Sequence, residues 1–312
     1  MAPVYPIAPG HPDFSSTGTT KFIPQIWSGK LVEKFYKATV FAAISNTDYE
    51  GEISAHGDKV IIRTTPNIVI RDYVKGQKLI YTSHESPNVE LNIDKGKYFA
   101  FPINDVDKKQ ADINFMDTWS DDASEQMKIT IDNVIINDVD GDAHASNKGT
   151  TAGLVSSSYN LGTTGSPVAL DKSNVIEYIV DTEAVLAEQN VPESNRWLVI
   201  PGWVANLIKK SDLKDASLTG DETSVLRNGR IGRIDTFTIY VSNNYNVTTD
   251  GADSCYSIIF GHKSGLTFAS QMVQMESIDN PDDFGQLVRG LNIYGYEVIK
   301  PESIGVLYAK KG

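Results

Sequence analysis

The chain reads as an α+β protein, and three features of its 312 residues carry that reading. Apolar residues alternate with a period of two from Asp58 to Ile103, then recur every three or four residues from Met116 to Val134. Past a Ser/Thr/Gly-rich stretch at 146–170, short helical and strand patterns follow one another. Runs of strand and helix kept apart in this way point to segregated layers rather than one repeating α/β unit.

The first segment, MAPVYPIAPGHPDF, places prolines at 3, 6, 9 and 12, the three-residue repeat of a polyproline II helix. Twelve such residues at ~3.1 Å each reach roughly 37 Å, which predicts an arm laid on another surface. Pro24 opens a helical stripe of Trp27, Leu31, Phe35, Ala38 and Ala42 that should run to about Ile44. Between Asp58 and Ile103, the runs KVIIR, NIVIRDY, KLIYTSH, VELNI and KYFAFPI are broken by Pro66, Gly76, Pro87 and Gly96. They predict an extended two-stranded hairpin or small meander.

The next stripe, Met116, Trp119, Ala123, Met127, Ile131 and Val134, predicts the longest helix, with Gly141 as a left-handed cap. Asn174 with Glu177 resembles a capping box ahead of Ile176, Val180, Ala184 and Ala187, a helix over about 174–189. WLVI at 197–200 reads as a strand, and Pro201 starts a short helix carrying Val204 and Leu207. A polar loop from Ser211 to Gly232 leads into a strand alternating Phe237, Ile239 and Val241. YSIIFG and LTFASQMV follow, and LVRGLNIYGYEVI and SIGVLYA should return to the first half of the chain.

Charge is unevenly distributed along this order. The formal net charge is −12 from 28 Lys+Arg and 40 Asp+Glu, which argues against a protein that coats nucleic acid through phosphate contacts. From Lys59 to Lys97, seven bases (Lys59, Arg63, Arg71, Lys75, Lys78, Lys95, Lys97) face four acids (Asp72, Glu85, Glu90, Asp94), a net of +3. From 105 to 142, eleven acids stand against three bases, a net of −8.

No apolar run approaches the ~18 residues of a membrane helix and no basic-then-apolar leader opens the chain, so the expectation is a soluble, unsecreted protein. Enzyme signatures fail their spacing tests: there is no phosphate-binding loop, no dinucleotide fingerprint and no H-E-x-x-H. In Gly261-His262-Lys263-Ser264-Gly265, the serine sits one place late for a nucleophile elbow, so a strand-end turn is expected. Aligning Gly141 with the glycine of a calcium loop puts Ile136 and Asn147 at the first and last ligand positions, which removes the carboxylates such a loop needs. The five histidines lie at no ligand spacing. Cys255, the single cysteine, has no disulfide partner and reads as a small core residue of a strand. No catalytic residue, cofactor or metal is assigned.

Read in order, the elements are an arm, a helix, a basic projection, a long acidic helix, an α/β region and a returning β segment. With FIPQIWSGKLVEKFYKATVFAAISNTDYEG at 22–51, GDKVIIR at 57–63, VLRNGRIGRIDTFTIYVSNN at 225–244 and QLVRGLNIYGYEVIKPESIGVLYA at 286–309, this order resembles the major capsid (coat) proteins of tailed bacteriophages. These proteins share the Johnson fold with encapsulin shells.

The resemblance implies an N-terminal arm and first helix at 1–46 and an E-loop hairpin region at 47–103. It also implies a peripheral domain with a spine helix at 104–150 and 289–312, and an axial α/β domain at 151–288. The function it implies is a structural subunit that self-assembles into pentamers, hexamers and an icosahedral head enclosing double-stranded DNA. The alternatives are an encapsulin-like compartment and a soluble two-domain α/β enzyme. Further implied partners are a separate scaffolding protein, a portal and a decoration or cement protein, with no membrane.

In this family, the E-loop of one subunit lies across the peripheral domain of its neighbour, which here would bring the +3 segment onto the −8 segment. Arg71, Lys75 and Lys78 are therefore the expected inter-subunit contacts to Asp117, Asp121 or Asp122 of a neighbour. Some relatives crosslink an E-loop lysine to a neighbour's asparagine, but the lysines and Asn292 of this chain do not align with that chemistry.

Overall fold

The computed structural model describes residues 39–48, 59–63, 68–81, 88–104, 115–211, 232–281 and 283–312. The polyproline arm, the first part of the helix expected from Pro24 and most of the loop at 211–232 lie outside these residues. Four helices are described: α1 (Phe41–Ile44), α2 (Phe115–Asp142), α3 (Val175–Glu188) and α4 (Gly202–Lys210). The strands run from β1 (Lys59–Arg63), β2 (Asn88–Asn92), β3 (Lys95–Asn104), β4 (Val168–Leu170), β5 (Arg196–Ile200) and β6 (Arg233–Ile234) through the rest of the chain. The later ones are β7 (Phe237–Val241), β8 (Thr248–Asp250), β9 (Asp253–His262), β10 (Leu266–Asp279), β11 (Gly285–Val298) and β12 (Ile304–Lys311). No helix among the described residues is long and apolar enough to cross a membrane.

Three sheets divide these strands. A mixed sheet runs β4-β12-β9-β5-β7-β6, with β8 on the side of β9. Its central strand β5 is buried at every residue, because both faces of the sheet are covered. Leu198, Ile200, Ile258, Phe260 and Leu307 point to one core with α3 and α4. Trp197, Val199, Ile259, Ile304 and Val306 point to a second core with α2. The alternation that the sequence shows is thus shared between two cores rather than between core and water.

The second sheet, β10-β11-β3, is antiparallel throughout, with Lys95 opposite Tyr294 and Asn104 opposite Gly285. Tyr294, Tyr296 and Val298 of β11 join the α2 core, so the long helix bridges the two sheets. The third sheet is the two-stranded β1-β2 hairpin, registered Lys59↔Asn92 to Arg63↔Asn88.

Several expectations change on this architecture. KYFAFPI leaves the hairpin: as β3, separated from the end of β2 by two residues, it pairs with β11 and not with β2. SIGVLYA does not join β11 in the three-stranded sheet, though Ile304 and Val306 do pack on α2. As β12 it lies between β4 and β9 in the mixed sheet, its apolar residues feeding both cores. β10, expected within 151–288, pairs instead with β11 over almost its whole length.

Helix α2 runs on through Gly141 to Asp142, and Gly141 is not left-handed. The Lys148 ammonium caps the helix instead, donating to the carbonyls of Asp140 (3.4 Å) and Gly141 (3.0 Å) where the helix dipole favours a cation. Its buried stripe is Ile131, Ile135, Ile136 and Val139, while Val134 is only partly buried and Trp119 is exposed against Phe101. Each of the buried Ile and Val side chains contributes roughly 1.5–3 kcal/mol.

In α3, Val175, Ile179, Thr182, Val185 and Leu186 are buried. The expected stripe of Ile176, Val180, Ala184 and Ala187 is half-buried or exposed, because a second apolar row one residue earlier takes the core. Its cap is not the Asn174/Glu177 box. The Asp171 carboxylate accepts from the amides of Ser173 (2.6 Å) and Asn174 (3.0 Å), while the Asn174 side chain is occupied with Asp171 and Ala169. The stretch at 146–170 is ordered by the Ala152↔Tyr159 and Thr163↔Ser166 bridges. His262 and Ser264 form the turn closing β9, and Cys255 is buried within that strand.

Candidate inter-subunit interface

The β1-β2 pair is rooted on the body of the molecule by a small apolar cluster of Ile62, Leu91, Ile93, Ala269 and Ile299. At the root, Gly295 of β11 passes so close to the hairpin that a Cβ there would overlap the carbonyl of Asn92 and sit 3.1 Å from the Cα of Ile93. Beyond the paired residues, the chain at 68–81 belongs to no strand among the described residues. It turns at Val74–Gln77, where the Gln77 amide donates to the Val74 carbonyl at 3.0 Å. Gly76 supplies the positive φ of +90° that the third position of a type II turn requires.

Eight of these fourteen residues are large and apolar: Ile68, Val69, Ile70, Tyr73, Val74, Leu79, Ile80 and Tyr81. All eight are exposed, Ile70 by 88% and Tyr81 by 89%. A contiguous apolar surface of this kind on an unpaired backbone is characteristic of a contact made with another chain.

Arg71, Lys75 and Lys78 are exposed on this same segment, and none has an ion-pair partner among the described residues of its own chain. The other bases of the region are not all available in that way. Lys59 pairs with Glu90 across the hairpin at 3.1 Å, and Lys95 reaches Asp138 of α2 at 3.5 Å. Three of the seven bases of the region, Arg71, Lys75 and Lys78, thus stand on the exposed segment with no ion pair among the described residues.

On the acidic side, Asp121 is exposed on α2, and Asp122 is half-buried and already engaged in a contact within its own subunit. Asp117 lies in the first turns of α2, and its side chain is outside the described ones. Among the described residues of one copy, none of Arg71, Lys75 and Lys78 is ion-paired to Asp121 or Asp122. The sheet β10-β11-β3 also carries an open groove of about 420 Å³, lined by Tyr98, Ala100, Gln274, Glu276, Arg289 and Leu291, with Arg289 ion-paired to Glu276.

The polar framework behind this surface was not visible in the sequence. Asp132, fully buried, lies in the apolar stripe of α2. Its carboxylate accepts from the amides of Val40 and Phe41, both at 2.8 Å, and from the Asn244 side chain at 2.5 Å. Asn133 and Asn137 donate to the Asn244 carbonyl, and Asn137 accepts from the Asn246 amide at 2.7 Å. Burial pushes the Tyr245 hydroxyl far up and the nearby Asp132 adds to it, so it stays a neutral donor to the Val199 carbonyl at 2.7 Å. The available signal was three polar residues, 132, 133 and 137, on the helical face that also carries Ile131 and Ile135.

Arg196 is also fully buried, its guanidinium donating to Glu183 (2.7 Å) and to the carbonyls of Val191 (2.6 Å) and Pro192 (2.9 Å). Among the described residues, no cluster of His, Cys, Asp or Glu could hold a metal ion.

Residues 88–307 match the sequence signature of the phage capsid protein family. No curated protein matches the chain. Among solved structures, one from Mycobacterium phage Che8 is 26% identical, with a TM-score of 0.75 over 93% of this chain and 98% of that one. The capsid structure of the cyanophage P-SCSP1u is 16% identical, with a TM-score of 0.70 over 96% of each chain. The mature capsid of bacteriophage PhiM1 is 14% identical, with a TM-score of 0.66 over 92% of this chain and 91% of that one. The chain therefore belongs to the phage capsid protein family, as a structural major capsid protein of the virion shell.

Proposed function

We propose that copies of this chain join through the 68–81 segment, one subunit's segment lying across its neighbour, to build pentamers, hexamers and an icosahedral head around double-stranded DNA. The observation that carries this reading is the row of eight exposed large apolar side chains on an unpaired, basic segment. Laying it on a second copy would bury several hundred Å² of apolar surface, at about 25 cal/mol per Å².

Arg71, Lys75 and Lys78 would meet Asp117, Asp121 or Asp122 of the neighbour, and the groove over β10-β11-β3 offers a bed for the apolar side chains. Opposite charge on touching faces sets register and speeds association more than it adds affinity. A separate scaffolding protein, a portal and a decoration protein are the further partners of this reading, and no catalysis is assigned. The likeness to phage capsids favours a genome container over a cargo-loaded compartment.

The test is the double reversal Arg71→Glu/Lys75→Glu in the full chain. The subunit should keep its circular dichroism spectrum and thermal midpoint but fail to form shells in negative-stain images. Shells at normal yield would remove the charge pairing from the reading.

A further inference from the structure

We propose that residues 68–73 of one copy add as a further strand to the free edge of β10 in a neighbouring copy, bonding through the backbone to Met275, Ser277 and Asp279. This rests on the reading that the 68–81 segment joins copies, and gives that contact its mode and its place. The sheet β10-β11-β3 ends in two edge strands, which are defended differently. β3 carries Lys95, Lys97 and Pro102, residue types that discourage a further strand. β10, LTFASQMVQMESID, has no lysine, arginine or proline along its 14 residues.

The start of β10 already accepts a main-chain partner on this edge. The Asn46 amide donates to the Leu266 carbonyl at 2.8 Å, and the Phe268 amide donates to the Asn46 carbonyl at 2.9 Å, a parallel bridge to the chain leaving α1. Past that bridge, no strand among the described residues lies on this side of β10. At the far end, the Asn280 amide donates to the Gly285 carbonyl at 2.9 Å, so the backbone groups of Asn280 face the β11 side. Backbone groups alternate sides along an antiparallel strand, which turns those of Met275, Ser277 and Asp279 outward. All three residues are exposed. A row of unpaired backbone donors and acceptors is a template for pairing with another chain.

The chemistry of the 68–81 segment matches this edge. Ile68, Val69, Ile70 and Tyr73 are β-branched or aromatic residues suited to a pleated strand, yet 68–73 belongs to no strand among the described residues of its own copy. The segment carries three bases, Arg71, Lys75 and Lys78, against one acid, Asp72, a net of +2. β10 carries two acids, Glu276 and Asp279, and no base. The charges are therefore complementary, which favours this edge over the lysine-bearing edge of β3. An added strand would also lie beside the groove of this sheet, next to Gln274 and Glu276. In such an addition, main-chain bonds supply affinity and the alternate side chains supply specificity.

The first test is Ser277→Pro in the full chain, which removes one outward amide and leaves the β10-β11 ladder its donors. The unassembled subunit should keep its circular dichroism spectrum and thermal midpoint, while shell yield in negative-stain images falls about tenfold or more. Ser277→Ala keeps the amide and should assemble as wild type does. The second test needs no variant: amide hydrogen exchange of the wild-type protein, read at single residues by mass spectrometry, in unassembled subunits and in shells. Met275, Ser277 and Asp279 should exchange about tenfold or more slowly in shells, together with alternate amides of 68–73. Protection of 68–73 without protection of Met275, Ser277 and Asp279 overturns the strand addition and leaves the segment as the contact between copies. Protection of neither removes the segment from the contact, and the strand addition with it. Shells of Ser277→Pro at wild-type yield also overturn the proposal.

Discussion

The Asp132 carboxylate, in the middle of a 28-residue helix, accepts the backbone amides of Val40 and Phe41, so the chain leaving the N-terminal region is capped by a residue 92 positions away. Helix α1 has no capping side chain of its own. Its leading amides would be unsatisfied in an apolar site without this partner.

Replacing Asp132 with Ala should therefore cost about 3 kcal/mol, since several buried donors lose a charged acceptor at once. Asp132→Asn should cost less, because its amide oxygen keeps the two backbone donors while its NH2 faces the donor end of Asn244. Urea denaturation of the unassembled subunit measures both. Equal losses for the two variants would mean that packing, not the acceptor, matters at this position.

Gly295→Ala should weaken the root of the projection. The added methyl has no room beside the Asn92 carbonyl, so β2 or β11 must shift. Overpacking of this kind costs roughly 1–3 kcal/mol. Thermal unfolding reads the loss, and proteolysis within 88–96 should become faster than in wild type.

Asp171→Ala removes the acceptor at the start of α3. The side-chain hydroxyl and amide of Ser173, with the Asn174 amide, hold the Asp171 carboxyl below its ordinary range. A depressed folded value contributes stability above the ordinary carboxylate range and loses it as pH falls through the folded value. The variant should be less stable than wild type at pH 7, with the gap closing toward pH 2, as read by calorimetry.

Much of the architecture was legible in local pattern. The spine helix, the fully apolar strand β5 and the turn at 263–265 follow from periodicity and from the residues that break it. The strand order was less so, because pairing is non-local. Nothing within SIGVLYA says that β12 lies beside β4 and β9, and its run of apolar residues suits any strand covered on both faces. Helix α3 presented two apolar rows, and only the sheet beneath it decides between Val180 and Ile179. Asp132 was hidden for a related reason: it was one of eleven acids in an acidic region, and its partners at 40, 41 and 244 are far away in sequence. At the candidate interface, the tip of the projection was legible in charge, whereas the commitment of Lys59 and Lys95 within their own subunit needed the fold.

The ten-residue ladder between β3 and β11 also has a mechanical meaning. The projection leaves the body at the first residues of β3, so a pull on its tip along the strand direction loads the ladder in shear. Its hydrogen bonds then resist together instead of opening one at a time from an end. A neighbour gripping residues 68–81 would thus load the subunit through this ladder, and strain arising in one copy would reach the next through β11 and the spine helix packed on it.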